Sequence, residues 1–116
     1  MTKLFIYGTL KRGYSRSAAL DDQQFVSPAR TLAYYRLFDT GAYPALVDAV
    51  PGVAVEGELW EVDDGCLARL DQIEDVPRLF RRQPVALAEP PDVTDAETYL
   101  YQLDAADLRD CGARWP

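Results

Sequence analysis

The chain has 116 residues, a length that suits one domain with a substantial core, so we expect residues 1–116 to form a single domain. Its 48% hydrophobic and 27% charged residues are typical of a soluble globular protein. The net charge of −7, without any basic cluster, argues against nucleic acid or an anionic membrane as a partner. No apolar run is long enough for a membrane-spanning helix, and the first residues do not resemble a signal peptide.

Cysteine and histidine usage narrows the chemistry further. Cys66 and Cys111 stand far apart, without the spacing of a metal site, so we expect reduced thiols and a cytoplasmic location. The chain has no histidine, which excludes Ser–His and Cys–His nucleophilic devices and His-ligated zinc. Carboxylates are therefore the first candidates for a general base.

The N-terminal segment predicts a buried strand that delivers a functional loop. The apolar run Leu4–Tyr7 ends abruptly at Gly8, and the loop that follows runs to Gly13. Such a loop exposes backbone N–H groups, which bind carboxylates, phosphates and developing oxyanions. The loop nearly matches the GxxxxGK[ST] phosphate-binding pattern, but Tyr14 replaces the essential lysine, so we exclude a nucleotide site.

The remaining elements predict a β-rich domain with one convincing helix. Ser15 would cap a short helical turn, and Pro28 would confine the residues around it to a bulged or edge segment. Asp63 or Asp64 would cap the main helix, and Pro77 would end it. Lys11 and Arg12 are expected to be exposed loop cations. In chain order we predict a helical turn over 15–20, strands over 31–38, 45–47 and 53–62, a helix over 64–75, an edge strand over 80–87 containing Pro84, a strand over 96–103 and a helical turn over 105–108.

These elements indicate an α+β fold. We expect a small mixed β-barrel of five to seven strands, mostly closed, with short flanking helices.

The predicted helix carries a carboxylate on its apolar side. At about 100° per residue, Glu74 falls roughly 20° from Leu67, on the arc that also holds Leu70 and Cys66. Burial and the negative end of the helix dipole would both raise the pKa of this carboxyl and make it a better base near neutral pH. The alternative is that the helix end frays and the side chain of Glu74 turns into water.

Other candidates have structural explanations. Glu56 and Glu58 share one face of a strand and could form an acid–base pair, although a solvated face is the commoner reason for such spacing. Tyr99 and Tyr101 fit core or cavity lining better than catalysis.

Four short motifs in order resemble the γ-glutamylcyclotransferase-like family, also called AIG2-like. The similarity is greatest to its small bacterial and γ-glutamylamine cyclotransferase branch and spans about residues 3–103. The motifs are Tyr7-Gly8-Thr9-Leu10, Gly41-Ala42-Tyr43-Pro44-Ala45, Gly57-Glu58-Leu59-Trp60-Glu61-Val62-Asp63 and Leu70-Asp71-Gln72-Ile73-Glu74.

The resemblance implies an enzyme with a substrate cavity between the Tyr7–Leu10 loop and the end of the helix. Glu74 would be the general base for attack of a substrate's α-amine on its own γ-carbonyl, releasing 5-oxoproline. Neither a metal nor a cofactor would be needed, and the partner would be a small γ-glutamyl molecule. The implied substrate-binding residues are Tyr7, Gly8, Thr9, Leu10, Tyr43 and Phe80.

Two departures from the family pattern concern the substrate. Phe80 stands where many relatives carry a tyrosine, so a hydroxyl contact is lost there. Arg16 and Ser17 occupy a region where close relatives often carry Asn and His. The alternative function is a non-catalytic binding or interaction domain on the same fold, since fold does not determine function. The sequence does not specify an oligomeric state.

Overall fold

The computed structural model describes residues 1–115. Within that range the chain forms nine β-strands, one α-helix and one short 3₁₀ helix (Ser17–Leu20), and no helix has the length and apolar character to cross a membrane. The strands are β1 (Thr2–Ile6), β2 (Gln24–Thr31), β3 (Tyr35–Asp39), β4 (Pro44–Asp48), β5 (Glu56–Val62), β6 (Phe80–Pro84), β7 (Leu87–Glu89), β8 (Glu97–Tyr101) and β9 (Arg109–Gly112), and the helix α1 is Asp64–Ile73.

The strands form two sheets. Six of the strands form a curled half-barrel in the order β6-β8-β1-β5-β2-β7, and β4-β3-β9 form a second sheet. Within the large sheet β1 pairs antiparallel with β5 and parallel with β8. The predicted α+β class is confirmed. Residues 1–115 contain more strands than the five to seven predicted, because short strands such as β7 and β9 have too few residues for a recognisable pattern.

β1 divides the core into two parts. Leu4 and Ile6 pack on one side with α1 residues Cys66 and Leu70, whereas Phe5 and Tyr7 pack on the other side with β3 and β4. Alternating side chains of a strand point to opposite faces, so a strand covered on both faces is apolar throughout. This explains the unbroken apolar run at the N-terminus.

The strand predicted over 31–38 is confirmed over residues 35–38, which lie in β3, and is wrong for residues 32–34. The chain instead makes β2, leaves the large sheet at Leu32–Tyr34, and begins β3 in the second sheet. The segment around Pro28 was expected to be bulged or at an edge. It is the strand β2, which has a bulge between Phe25 and Ser27 and lies inside the sheet rather than at its edge. Pro28 is tolerated because a bulge relaxes the hydrogen-bond ladder beside it.

Helix α1 begins as predicted and ends two residues earlier than the predicted Asp75. Asp63 is the N-cap, and its Oδ1 accepts a hydrogen bond of 2.7 Å from the Cys66 backbone N–H. Glu74 is the C-cap, and Asp75 has φ of 54°, in the left-handed region. A left-handed residue just after the C-cap is a common way for a helix to end, and Pro77 disfavours a helical conformation for Val76, so the helix does not resume.

Three smaller predictions have mixed outcomes. β6 lies at the edge of the large sheet, which confirms the edge position predicted from Pro84. Ser15 is not a helix cap, because the 3₁₀ helix begins two residues later and Arg16 precedes it without a side-chain cap. The helical turn predicted over 105–108 is a turn that leads into β9.

Thr31 connects the end of β2 to the loop before β5 by hydrogen bonds in the core. Its Oγ1 accepts a bond of 2.9 Å from the Val55 N–H and donates one of 2.7 Å to the Leu32 carbonyl. Ser27, on the same strand, has a buried hydroxyl with no hydrogen-bond partner within residues 1–115. Replacing Thr31 by an apolar residue therefore leaves the buried Val55 N–H without an acceptor, whereas replacing Ser27 breaks no hydrogen bond.

We predict that Thr31→Val lowers the free energy of unfolding by about 1–3 kcal/mol, because the buried Val55 N–H loses its acceptor. The matched control Ser27→Ala should change it by less than about 0.5 kcal/mol or stabilise the protein, because it removes an unpaired hydroxyl. Urea denaturation measures both variants. Equal effects of the two substitutions would contradict this assignment.

Candidate functional site

A single cavity lies where the end of β1, the start of β4, the end of α1 and the start of β6 meet. Its volume is about 540 Å³ when the space open to solvent at its mouth is included. It is lined by Phe5, Ile6, Tyr7, Gly8, Thr9, Leu10, Arg16, Tyr43, Pro44, Ile73, Glu74, Leu79, Phe80 and Tyr99. Most of these side chains are apolar or aromatic, as is usual for a small-molecule site.

The loop after β1 forms one wall of the cavity through successive turns. The Lys11 N–H donates to the Gly8 carbonyl over 3.0 Å, and the Arg16 N–H donates to the Thr9 carbonyl over 2.8 Å. Within residues 1–115, the N–H groups of Gly8, Thr9 and Leu10 have no hydrogen-bond acceptor. Three adjacent residues that line the cavity therefore have backbone N–H groups without an acceptor in the described part of the chain.

Gly8 is required for contact with the second sheet. A Cβ at this position would lie 2.7 Å from Cγ and 3.0 Å from Cδ of Pro44, at the start of β4. A side chain at this position would collide with the protein itself, so a larger residue here would disturb the fold as well as the approach of a ligand to the loop.

Glu74 places its carboxylate in the cavity wall. Its side chain is half-buried, and burial raises its pKa from 4.5 to about 7, while the charge of Arg16 opposes the shift. The helix determines this position, since Glu74 is the C-cap of α1 and lines the same cavity as the end of β1. A carboxyl group that titrates near neutral pH is suited to accept a proton.

Two tyrosines that line the cavity, Tyr7 and Tyr99, are joined by a hydrogen bond. The Tyr7 hydroxyl donates a hydrogen bond of 2.6 Å to the Tyr99 carbonyl in β8. Burial raises the pKa of Tyr7 well above its usual value, and the negative charge of Glu74 adds to the shift. The Tyr7 hydroxyl therefore stays protonated and is already committed to the protein.

Behind Tyr99, charged groups connect three elements. The Tyr99 hydroxyl donates to Asp71 Oδ1 over 2.7 Å, and Arg82 holds both Asp71 oxygens at 3.0 and 3.2 Å. Arg82 also donates to Glu97 over 2.8 Å. Asp71 precedes Glu74 by three residues, so this network fixes the last turn of α1 against β6 and β8.

Aromatic rings close the opposite side. The Tyr43 and Phe80 ring centroids are 5.9 Å apart, and Phe80 lies 5.5 Å from Tyr101. Phe80 is buried at the start of β6, and Tyr43 is half-buried just before β4. Two segments distant in sequence thus form one apolar wall.

The structure brings all seven sequence-predicted site residues to this cavity, and their roles remain predictions. Arg16, Pro44 and Tyr99 also line the cavity. Tyr99 was expected to line a core or cavity, and it does both. No sequence pattern predicted the contact of Gly8 with Pro44, because this contact depends on how the two sheets meet.

Of the two loop cations outside the cavity, Lys11 differs from expectation and Arg12 agrees with it. Lys11 is buried rather than exposed, with its Nζ donating to the Trp115 carbonyl over 3.1 Å and lying 4.5 Å from the centre of the Tyr14 ring. Arg12 is exposed as expected and pairs with Glu58 over 3.2 Å. Glu58 therefore anchors the loop, which explains it without an acid–base role. Trp115 packs against the core and does not line the cavity.

No cluster of three or more His, Cys, Asp or Glu side chains is arranged to hold a metal ion within residues 1–115.

Comparison with known proteins identifies the family. Residues 4–115 match the family model described as γ-glutamyl cyclotransferase, AIG2-like. The chain belongs to this family. The resemblance expected from the four motifs is thereby confirmed.

Named relatives and a solved structure agree with this assignment. A Vibrio cholerae protein named, provisionally, a γ-glutamylcyclotransferase is 41% identical over 85% of this chain and 81% of its own length. The human γ-glutamylaminecyclotransferase is 34% identical over 87% of this chain and 78% of its own length. The crystal structure of an AIG2-like protein from Mus musculus superposes with a TM-score of 0.84 at 29% identity, covering 100% of this chain and 88% of that chain.

We predict that Gly8→Ala lowers the free energy of unfolding by about 1–3 kcal/mol, because the added methyl group overlaps Pro44. Gly65→Ala is the matched control. Its Cβ would meet nothing closer than 3.6 Å, and alanine favours helix, so this variant should be as stable as the wild type or more stable. Thermal and urea unfolding measure both, and a Gly8→Ala protein of full stability would contradict the proposed packing.

Proposed function

We propose that the protein is a γ-glutamylcyclotransferase that uses Glu74 as its general base. The observation that supports this most strongly is the position of Glu74. Within residues 1–115, it is the one carboxylate that lines the cavity, and its pKa is raised to about 7 by burial. The family to which the chain belongs supports the reaction class.

In the proposed reaction, the substrate's own amine is the nucleophile. Glu74 accepts a proton from the α-ammonium group, and the freed amine attacks the γ-carbonyl carbon of the same glutamyl unit. A new C–N bond closes the five-membered ring of 5-oxoproline as the original amide C–N bond breaks. Glu74 passes its proton to the departing nitrogen as that bond breaks. The ring nitrogen loses a second proton on closure, which passes through Glu74 to the departing amine, so the amine leaves as an ammonium and the enzyme returns to its starting state.

The cavity can supply the other two requirements of this reaction. The apolar walls would hold the flexible glutamyl chain of the substrate in a folded conformation. The entropy cost of folding this chain is then met when the substrate binds, before the ring closes. The available N–H groups of Gly8, Thr9 and Leu10 would bind the glutamyl carboxylate and the oxyanion that develops on the γ-carbonyl oxygen. Tyr43 and Phe80 would contact the aliphatic part of the glutamyl chain.

Asp71 and Tyr99 would act as positioning residues. Their hydrogen bond, reinforced by Arg82, fixes the turn of α1 from which Glu74 projects. A base needs to stay within hydrogen-bonding distance of the proton that it removes, so a rigid helix end helps the transfer.

A non-catalytic binding domain on the same fold is the alternative. The raised pKa of Glu74 favours catalysis, because a half-buried carboxylate that has no ion-pair partner within residues 1–115 is costly to maintain in a simple binding site. A cytoplasmic location also remains a prediction, based on the two isolated cysteines.

We predict that Glu74→Gln lowers kcat/KM by at least about a hundredfold, because the amide cannot accept the proton. The measurement is 5-oxoproline release from a panel of γ-glutamyl amino acids and amines. Asp75→Asn is the matched control, since it removes the neighbouring carboxylate, lies outside the cavity, and places asparagine at a left-handed position that this residue tolerates.

For the wild type, kcat/KM should fall about tenfold per pH unit below pH 7. The base must be ionised, and the raised pKa places its protonation near pH 7 rather than near 4.5. Wild-type activity retained in Glu74→Gln would disprove the role of Glu74. Absence of turnover with every substrate would favour the binding domain.

A further inference from the structure

Two exposed side chains mark the mouth of the cavity. Of the residues that line it, Arg16 and Ile73 are exposed, whereas the others are buried or half-buried. The cavity is therefore most open to solvent beside these two side chains. Ile73 is adjacent to Glu74, so the mouth opens beside the proposed base.

A shallow groove continues outward from this mouth. It is lined by Arg16, Ala18, Ala19 and Ile73, so it shares two of its residues with the cavity. The other groove residues are small or apolar. The guanidinium of Arg16 is therefore the charged group that a ligand meets in the groove, within the described part of the chain.

Arg16 has no partner within residues 1–115. Most arginines of the chain form ion pairs with carboxylates, but no carboxylate or other acceptor binds the Arg16 guanidinium there. Its backbone, by contrast, is fixed at both ends. The Arg16 N–H donates to the Thr9 carbonyl over 2.8 Å, and its carbonyl accepts from the Ala19 N–H over 3.1 Å. The protein thus holds a cation at the mouth and leaves its charge available.

The geometry of the proposed reaction determines what lies beside Arg16. The α-amine faces Glu74 and attacks the γ-carbonyl carbon, and the departing amine is bonded to that same carbon. The departing group therefore begins next to Glu74 and extends through the nearest opening, which is the mouth at Arg16 and Ile73.

We propose that Arg16 and the groove bind a carboxylate on the departing group, so that the substrates are γ-glutamyl amino acids or γ-glutamyl peptides rather than simple γ-glutamyl amines. This inference rests on the proposed function. The guanidinium pairs with the carboxylate, and Ala18, Ala19 and Ile73 accept a small apolar side chain. A departing group that carries a positive charge is repelled at the same place.

Two substrates that differ by one carboxylate test this proposal. γ-Glutamyl-alanine and γ-glutamyl-ethylamide have the same glutamyl unit and the same carbon next to the departing nitrogen, and the second lacks the carboxylate of alanine. The two amines also differ in basicity, so the informative quantity is how a substitution changes the ratio of the two kcat/KM values. Any effect on Glu74 itself is common to both substrates and cancels in that ratio.

We expect Arg16→Gln to lower the ratio of kcat/KM for γ-glutamyl-alanine over γ-glutamyl-ethylamide by about five- to tenfold, through loss of an ion pair at a partly exposed site. Arg16→Lys should retain part of the preference, and added salt should weaken it in the wild type, since salt screens exposed charges. Arg69→Gln is the matched control, because Arg69 is exposed, lies outside the cavity and groove, and also lacks an ion pair within residues 1–115.

The outcomes distinguish a failure of the role proposed for Arg16 from a failure of the proposed cyclotransferase activity. An equal loss with both substrates would show that Arg16 serves the glutamyl unit, and an unchanged ratio would show that it binds no part of the substrate. Either result overturns this inference while the cyclotransferase assignment stands. A wild-type protein that releases 5-oxoproline from neither substrate overturns both.

Discussion

The burial of β1 on both faces is the constraint on which the rest of the structure depends. Its apolar run needs a cover on each side, and α1 covers one face while the second sheet covers the other. Both covers must extend to the end of the strand, where the chain turns into the Gly8 loop. The end of α1, the start of β4 and the loop therefore meet at one point. The cavity lies at this junction, so the core itself determines where the candidate site is.

This arrangement also explains how the protein keeps an ionisable group in an apolar wall. Glu74 faces the cavity from the last turn of α1, where burial works against its charge. The same turn is held in place by Asp71, which pairs with Arg82 and Tyr99. Asp71, which has hydrogen-bond partners, thus helps to position Glu74, which has no ion-pair partner within residues 1–115. A carboxylate left without a strong partner is a feature more often required by function than by stability.

The sequence predicted the parts of the site that follow local rules. The apolar run before Gly8 indicated β1, and the helical period of about 100° per residue placed Glu74 on the apolar arc of α1. Contacts between distant segments were not accessible in this way. The collision of Gly8 with Pro44, the burial of Lys11 beneath Trp115 and the bridge from Arg82 to Asp71 all depend on strand pairing and on the meeting of two sheets. The strand over 31–38 was predicted to begin four residues before β3 does, because the pattern does not show that the chain changes sheet at Leu32–Tyr34.

The role of Arg16 shows the same limit. In sequence Arg16 is only a departure from the family pattern, and its proposed role rests on its position in the lining of the cavity. Its charge also moderates the pKa of Glu74. The mouth therefore combines an acceptor of protons with a group that favours anions, a pairing suited to a substrate that carries charges of both signs.

The central claim is that Glu74 is a carboxyl group whose surroundings make it a base near neutral pH. The most direct test is a titration of protein labelled with ¹³C at the glutamate side-chain carboxyl carbon, followed by NMR, with the Glu74 signal assigned by its absence in Glu74→Gln. The account predicts a midpoint near pH 7 for this signal. A midpoint near 4.5, the ordinary value for glutamate, would show that the carboxylate is solvated and would contradict the account.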